Sequence, residues 1–267
     1  MSRNDNAKDL SPKISGRIFS STGNRITGQK KTWRLADEVP LVLFYNGEQL
    51  GVMMVSPTDL EDFCIGFSLT QGIVKSHGDI EDTRFETIAR GILANIIVDE
   101  ESLRIARERK RAIIAGSSCG ICGTQTLAEL MPLPKKNHGL VATPSAMLKA
   151  LGAIDGEQPQ NRLNFSTHGA ALANENGKII LLREDVGRHN GLDKLAGAMA
   201  KKNLGPKDGF LVLTSRFSVE MAQKAANIGF SSVATISAPT SLALKTARKA
   251  SMEVATLSGD ELMMFDK

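Results

Sequence analysis

From about residue 143 onward, short apolar runs alternate with helix-forming stretches, and this alternation restricts the fold more than any other feature. Residues 144–151 read as a helix, 163–173 and 178–182 as strands, and 188–199 as a helix. Strands at 209–214, 232–237 and 253–257 follow, separated by helices at 219–228 and 242–250. Helices of this length between short buried strands predict right-handed crossovers and a mainly parallel sheet, an α/β architecture.

The first half has a different rhythm. Residues 40–45 read as a strand, Asn46-Gly47 as a hairpin turn that tolerates positive φ, and 50–55 as the return strand. Ser56-Pro57-Thr58-Asp59 has the makings of a helix start, with a cap, a proline at the first helical position and an acid in the first turn. The helix behind it carries Leu60, Phe63, Cys64 and Phe67 on one stripe, which places Cys64 among buried apolar residues. Residues 92–98 read as a strand, and the basic stretch 103–115 fits a strand or a helix. A Gly/Ser/Cys loop at 116–123 follows, then a short helix at 124–130 that ends before Pro132 and Pro134. Residues 131–141 form a linker. Residues 1–30 are rich in Ser, Asn, Lys and Gly and read as a mobile tail, with Trp33 opening the ordered part. The expected organisation is a smaller α+β domain over 31–137 and an α/β domain over 138–267.

With 267 residues, 42% of them hydrophobic, the chain can bury one large core or two modest ones. A net charge of +4 and a pI near 9.0 suit a small anionic ligand better than a nucleic-acid duplex. The run Arg107-Glu108-Arg109-Lys110-Arg111 reads as a solvated helix face. Three cysteines (Cys64, Cys119 and Cys122) do not make a disulfide scaffold. No apolar stretch follows the N-terminal residues and no run is long enough to span a bilayer, so a soluble, cytoplasmic protein is expected.

Several polar constellations can carry chemistry. In Cys119-Gly120-Ile121-Cys122-Gly123 two thiols three residues apart can reach each other or one metal, and the glycines leave the sulfurs open to a partner. The start of the 124–130 helix would favour thiolate at Cys122. Three chemistries remain open on these residues: sulfur or redox work, a structural zinc site lacking a second cysteine pair, and an inert turn. Glu184-Asp185-Val186-Gly187-Arg188-His189-Asn190 joins a strand to a helix, where Arg188 and His189 can bind an anion and Asp185 can orient either of them. Thr214-Ser215-Arg216-Phe217-Ser218, Thr167-His168-Gly169 and Ser237-Ala238-Pro239-Thr240-Ser241 occupy comparable strand ends, which suggests one shared pocket.

The cysteine loop, Thr167-His168-Gly-Ala-Ala, Glu184-Asp-Val-Gly-Arg-His189, Asp193-Lys194-Leu195 and Ser215-Arg216 occur in an order that resembles the formate dehydrogenase accessory sulfurtransferases, the FdhD family. Residues 53–72 resemble that family too, and the likeness runs from about 39 to 265. The resemblance implies a sulfurtransferase that accepts sulfur from a cysteine desulfurase as a persulfide on Cys119, with Cys122 as its partner. It passes the sulfur to the molybdenum of bis-molybdopterin guanine dinucleotide before that cofactor enters formate dehydrogenase. It implies a nucleotide-binding stretch at Thr256, Leu257, Ser258, Gly259, Asp260 and Glu261, which a GDP-like nucleotide can occupy, supported by His168, Arg188, His189, Ser215 and Arg216. It also implies a homodimer, and a C-terminal domain folded in three layers like cytidine deaminases. The deaminase zinc ligands and catalytic glutamate are missing at Arg188-His189-Asn190 and Ser215-Arg216-Phe217-Ser218, so no zinc is expected. Gln71 stands where the family usually has an acid, Gly169 where alanine is usual, and Thr256 and Glu261 where an aromatic and an arginine are usual. A zinc-dependent hydrolase and a non-catalytic cofactor chaperone are the alternatives.

Overall fold

The computed structural model describes residues 11–22, 25–117 and 136–266. Cys119, Cys122, residues 1–10 and the expected 124–130 helix lie outside the described residues.

Two strands, β1 (Lys13–Thr22) and β2 (Arg25–Arg34), pair antiparallel over ten positions and belong to neither of the other sheets. Much of the stretch expected as a tail is therefore a hairpin. Its base is closed by its own ends and held by a distant segment that the local composition does not announce. The Leu35 amide donates to Pro12 O (3.0 Å), Asn164 Nδ2 donates to Ser11 Oγ (3.3 Å), and the Trp33 ring lies 5.6 Å from that of Phe165.

The first sheet has the order β4–β3–β6–β5 and comprises β3 (Val39–Tyr45), β4 (Glu48–Val55), β5 (Ile80–Ile88) and β6 (Gly91–Val98). Asn46 and Gly47, both at positive φ, make the β3–β4 turn as expected. Alternate residues Leu41, Leu43 and Tyr45 point into a core shared with α1 (Leu60–Thr70) and α2 (Glu100–Ser117). Burial pushes the Cys64 thiol in that core up to about 12, so at neutral pH it is a protonated packing group. The ambiguous basic stretch is helical in α2, where Arg104 pairs with Glu108 and Arg107 with Glu48, in keeping with a solvated face.

The start of α1 departs from expectation. Asp59, in the left-handed conformation, is the residue before the helix and makes no side-chain cap, and Pro57 is not the first helical residue. Ser56 is drawn off instead. Its amide donates to Asp185 Oδ2 (2.9 Å), its Oγ accepts from the Val186 amide (3.1 Å) and its carbonyl accepts from Lys194 Nζ (2.9 Å). A sequence that looks like a cap is a docking corner for the end of the strand at 179–185 and the helix behind it.

The rest of the chain has α3 (Pro144–Ile154), a short α4 (Asn161–Asn164), β7 (His168–Ala173), β8 (Ile179–Asp185), α5 (Arg188–Lys201), β9 (Phe210–Leu213), α6 (Val219–Ile228), β10 (Ser232–Thr235), α7 (Ser241–Lys249), β11 (Glu253–Ser258) and β12 (Glu261–Met264). The sheet order is β12–β11–β10–β9–β7–β8. One face packs on α5, α6 and α7 through Leu172, Leu195, Leu211, Met221, Val233 and Ala247; the other packs on α3 through Phe210, Val212, Met147 and Leu151. The result is the expected three-layer α/β architecture.

Only β9–β10 and β10–β11 are parallel, so the sheet is mixed rather than mainly parallel. The chain from β7 to β8 turns at Asn174–Gly177, and Gly259 (φ +64) turns β11 into β12; both connections are too short for a crossover. The strand expected over 163–173 begins only at His168. The Glu184 carboxylate binds the amides of Gln160 (2.9 Å) and Asn161 (2.8 Å), and Asn164 Oδ1 binds the Ser166 amide (2.9 Å), which curls the chain into α4.

The helices of the two sheets meet where α1 crosses α5. A Cβ on Gly66 would lie 1.6 Å from Asp193 O, and one on Gly197 would lie 1.9 Å from Asp62 O. Charges line the seam. Arg183 pairs with Asp62 (2.7 Å), Lys201 with Glu61 and Asp62, and Lys224 Nζ donates to both Asp193 carboxylate oxygens (2.7 and 2.9 Å) and to Thr70 Oγ1 (3.0 Å). Among the described residues no helix is long and apolar enough to cross a membrane.

Candidate functional site

Strand directions bring five loops to one edge of the second sheet. β9, β10 and β11 run parallel, so residues 214–218, 236–240 and 258–260 leave from the same side. β7 runs against β9 and β8 against β7, so the start of β7 and the end of β8 lie on that side too. The Gly169 amide donates to Thr214 Oγ1 (2.8 Å) and the Thr240 amide to Phe217 O (3.0 Å), which ties neighbouring loops together. The edge places His168, Arg188, His189, Ser215, Arg216 and the 256–261 stretch along one side of the fold.

At the β7–β8 end, half-buried His168 is held below the usual imidazole range by burial and by Arg188, with Arg216 adding to this against the pull of Asp185. His189 is pushed down to about 4 by burial, then by Arg188 and Lys224, with Glu220 opposing. Both imidazoles are therefore neutral at pH 7, beside two permanent guanidinium charges. Among the described residues Arg188 Nε and His189 Nε2 are buried without a hydrogen-bond partner, as is Gln158 Oε1 nearby. Burying such groups unpaired costs on the order of 1–3 kcal/mol each, so these two residues have hydrogen-bonding capacity to offer a ligand.

Not every expected site residue faces outward. Ser215 is buried, its hydroxyl donating to Arg216 O (3.3 Å), whereas Arg216 is exposed at the rim. Thr256 is buried and its hydroxyl donates to Thr235 O (3.1 Å) and Ile236 O (3.4 Å), so it serves the fold. Leu257 packs against the core, while Ser258, Gly259, Asp260 and Glu261 form an exposed turn. That turn is three strand spacings from β7, roughly 14 Å. Asp185 orients neither Arg188 nor His189. Its carboxylate binds the amides of Ser56 and Gly187 (2.8 Å), Asn190 Nδ2 (2.9 Å) and Lys194 Nζ (2.6 Å). Glu184 likewise anchors α4 and the Thr167 hydroxyl (3.0 Å). The two acids of the most distinctive motif thus fasten the site to its surroundings. Among the described residues no three His, Cys, Asp or Glu side chains group as a metal site.

The depressed imidazole predicts a pH response. Below about 6.5 an unfolded chain protonates His189 and the folded chain does not, until about 4. Stability is therefore full above the upper value and declines as pH falls through that window. His189→Gln should flatten the decline in thermal midpoints recorded from pH 8 to pH 5; an unchanged slope would contradict the assignment.

The FdhD/NarQ family profile matches residues 36–265. The sulfur carrier protein FdhD of Bordetella petrii is 38% identical over 232 residues, covering 86% of this chain and 84% of its own. That of Cupriavidus necator is 39% identical over 222 residues, covering 83% and 77%. The crystal structure of a protein described as a formate dehydrogenase accessory protein, from Desulfotalea psychrophila, superposes with a TM-score of 0.70 at 23% identity over 97% of both chains, which shows a shared fold. The chain belongs to the FdhD/NarQ family.

Proposed function

We propose that this chain is a cytoplasmic sulfur carrier that takes sulfur from a cysteine desulfurase on Cys119 and delivers it to the molybdenum of bis-molybdopterin guanine dinucleotide, destined for formate dehydrogenase. The observation that carries the reading is the match to sulfur carrier proteins across more than four-fifths of the chain. The strand-end edge supports it: two arginines and two neutral imidazoles, with donors and acceptors that have no partner among the described residues, suit a phosphate-bearing substrate.

The chemistry balances on two thiols. The Cys119 thiolate attacks the terminal sulfur of the desulfurase persulfide; a new S–S bond forms at Cys119, and the desulfurase cysteine leaves as thiolate. Cys122 then attacks the Cys119 sulfur and displaces hydrosulfide toward the metal. The resulting Cys119–Cys122 disulfide accounts for the two electrons, and a cellular thiol reductant reopens it. In cells lacking their own family member, Cys119→Ala should leave formate dehydrogenase activity at background while the variant accumulates normally. Activity equal to that of the unsubstituted chain would favour a cofactor chaperone instead.

A further inference from the structure

We propose that Trp33 and Phe165 form a stacking platform for the planar ring of a purine or pterin at the β7 end of the strand-end edge. This rests on the proposed delivery of a guanine-bearing substrate. Two aromatic pairs occur among the described residues; Phe63 and Phe67 are buried in the first core, whereas Phe165 and Trp33 are 68% and 41% exposed. Phe165 has a left-handed backbone (φ 56), a conformation that a bulky side chain rarely adopts, and it holds its ring outward rather than in the core. The conformation is imposed from below. The Phe165 amide donates to Asn161 O (2.8 Å), and Asn161 is held by Glu184. Trp33 braces the ring from the hairpin at 5.6 Å and a 40° tilt, with Lys31 Nζ 5.7 Å from the indole centroid.

Position gives the platform its meaning. Phe165 is three residues from His168, within about 11 Å along the chain, and His168 feels the charges of Arg188 and Arg216. A ring stacked on Phe165 leaves its sugar and phosphates to reach toward those arginines. The 258–261 turn lies at the other end of the same edge. The proposed substrate carries a guanine at each of its two ends, so one end can rest on the aromatic pair and the other at the turn.

Trp33 is the single tryptophan of the chain, so its emission reports on the platform directly. GDP and guanosine should both perturb Trp33 fluorescence in the full chain, and inorganic pyrophosphate should not. By calorimetry, Phe165→Ala should weaken GDP about tenfold and leave pyrophosphate binding unchanged. Phe165→Tyr, which keeps a ring, should bind GDP as the original does, so a folding defect is distinguishable from loss of stacking. GDP binding with equal affinity to the original and to Phe165→Ala, with silent Trp33 emission, would overturn the platform while leaving nucleotide binding intact. No calorimetric binding of GDP to any form would remove both the platform and the reading it rests on.

Discussion

Replacing Gly66 or Gly197 with alanine is expected to cost about 3 kcal/mol of folding stability, a large share of what a protein of this kind has. Each glycine meets the backbone of the opposite helix, α1 against α5, and the added methyl would sit 1.6 Å or 1.9 Å from a carbonyl oxygen. Neither oxygen is a flexible side-chain end that can swing away, so the helices must separate. Separation also lengthens the contacts that cross the seam, from Thr70 to Asp193 (2.5 Å) and from Arg183 to Asp62. Gly152→Ala is the control. It lies within α3 with nothing within 4 Å of the added carbon, and it should stabilise by roughly 0.5–1 kcal/mol. Denaturant midpoints read both, and a Gly66→Ala chain as stable as the original would mean that the two helices do not meet as described.

Lys194→Met is expected to cost about 3–5 kcal/mol, because it strands a charge. Lys194 and Asp185 are fully buried and 2.6 Å apart, and Lys194 also donates to Ser56 O. Burial drives the Lys194 pKa down, and the neighbouring Asp185 carboxylate opposes that shift. With the lysine gone, Asp185 keeps the Ser56 and Gly187 amides and Asn190 Nδ2 but has no counter-charge within contact among the described residues. The double change Lys194→Met with Asp185→Asn should recover much of the loss, since two neutral groups replace a buried ion pair. Equal losses in the single and double variants would show that packing of the lysine stem, rather than charge, holds the corner.

Much of this arrangement is legible in the residues. Period-two burial at Leu41, Leu43 and Tyr45, the Asn46-Gly47 turn, and the helix over Val219–Ile228 follow from local pattern alone. What local pattern misses is decided at a distance. Ser56-Pro57-Thr58-Asp59 has the composition of a helix cap, but Asp185, Val186 and Lys194, about 130 positions away, recruit Ser56. The β1–β2 hairpin has tail-like composition and is pinned by residues near 164. At the site, the clustering of strand-end loops is visible in the order of strands and helices, whereas the roles of Glu184 and Asp185 are not. An acid beside Arg188 and His189 looks like their partner until the fold places Lys194 and the amides of Gln160 and Asn161 nearer. Gly66 sits in a stretch noted for its family likeness, yet no local rule distinguishes a helix-crossing glycine from an ordinary one.

The central claim, sulfur carried on Cys119, is tested most directly by incubating the full chain with a cysteine desulfurase and labelled cysteine, trapping persulfides by alkylation, and locating the label by peptide mass spectrometry. One additional sulfur is expected on the peptide containing Cys119, absent from Cys119→Ala, with Cys64 unlabelled because its buried thiol stays protonated. Undiminished label in Cys119→Ala, or label on Cys64, would contradict it.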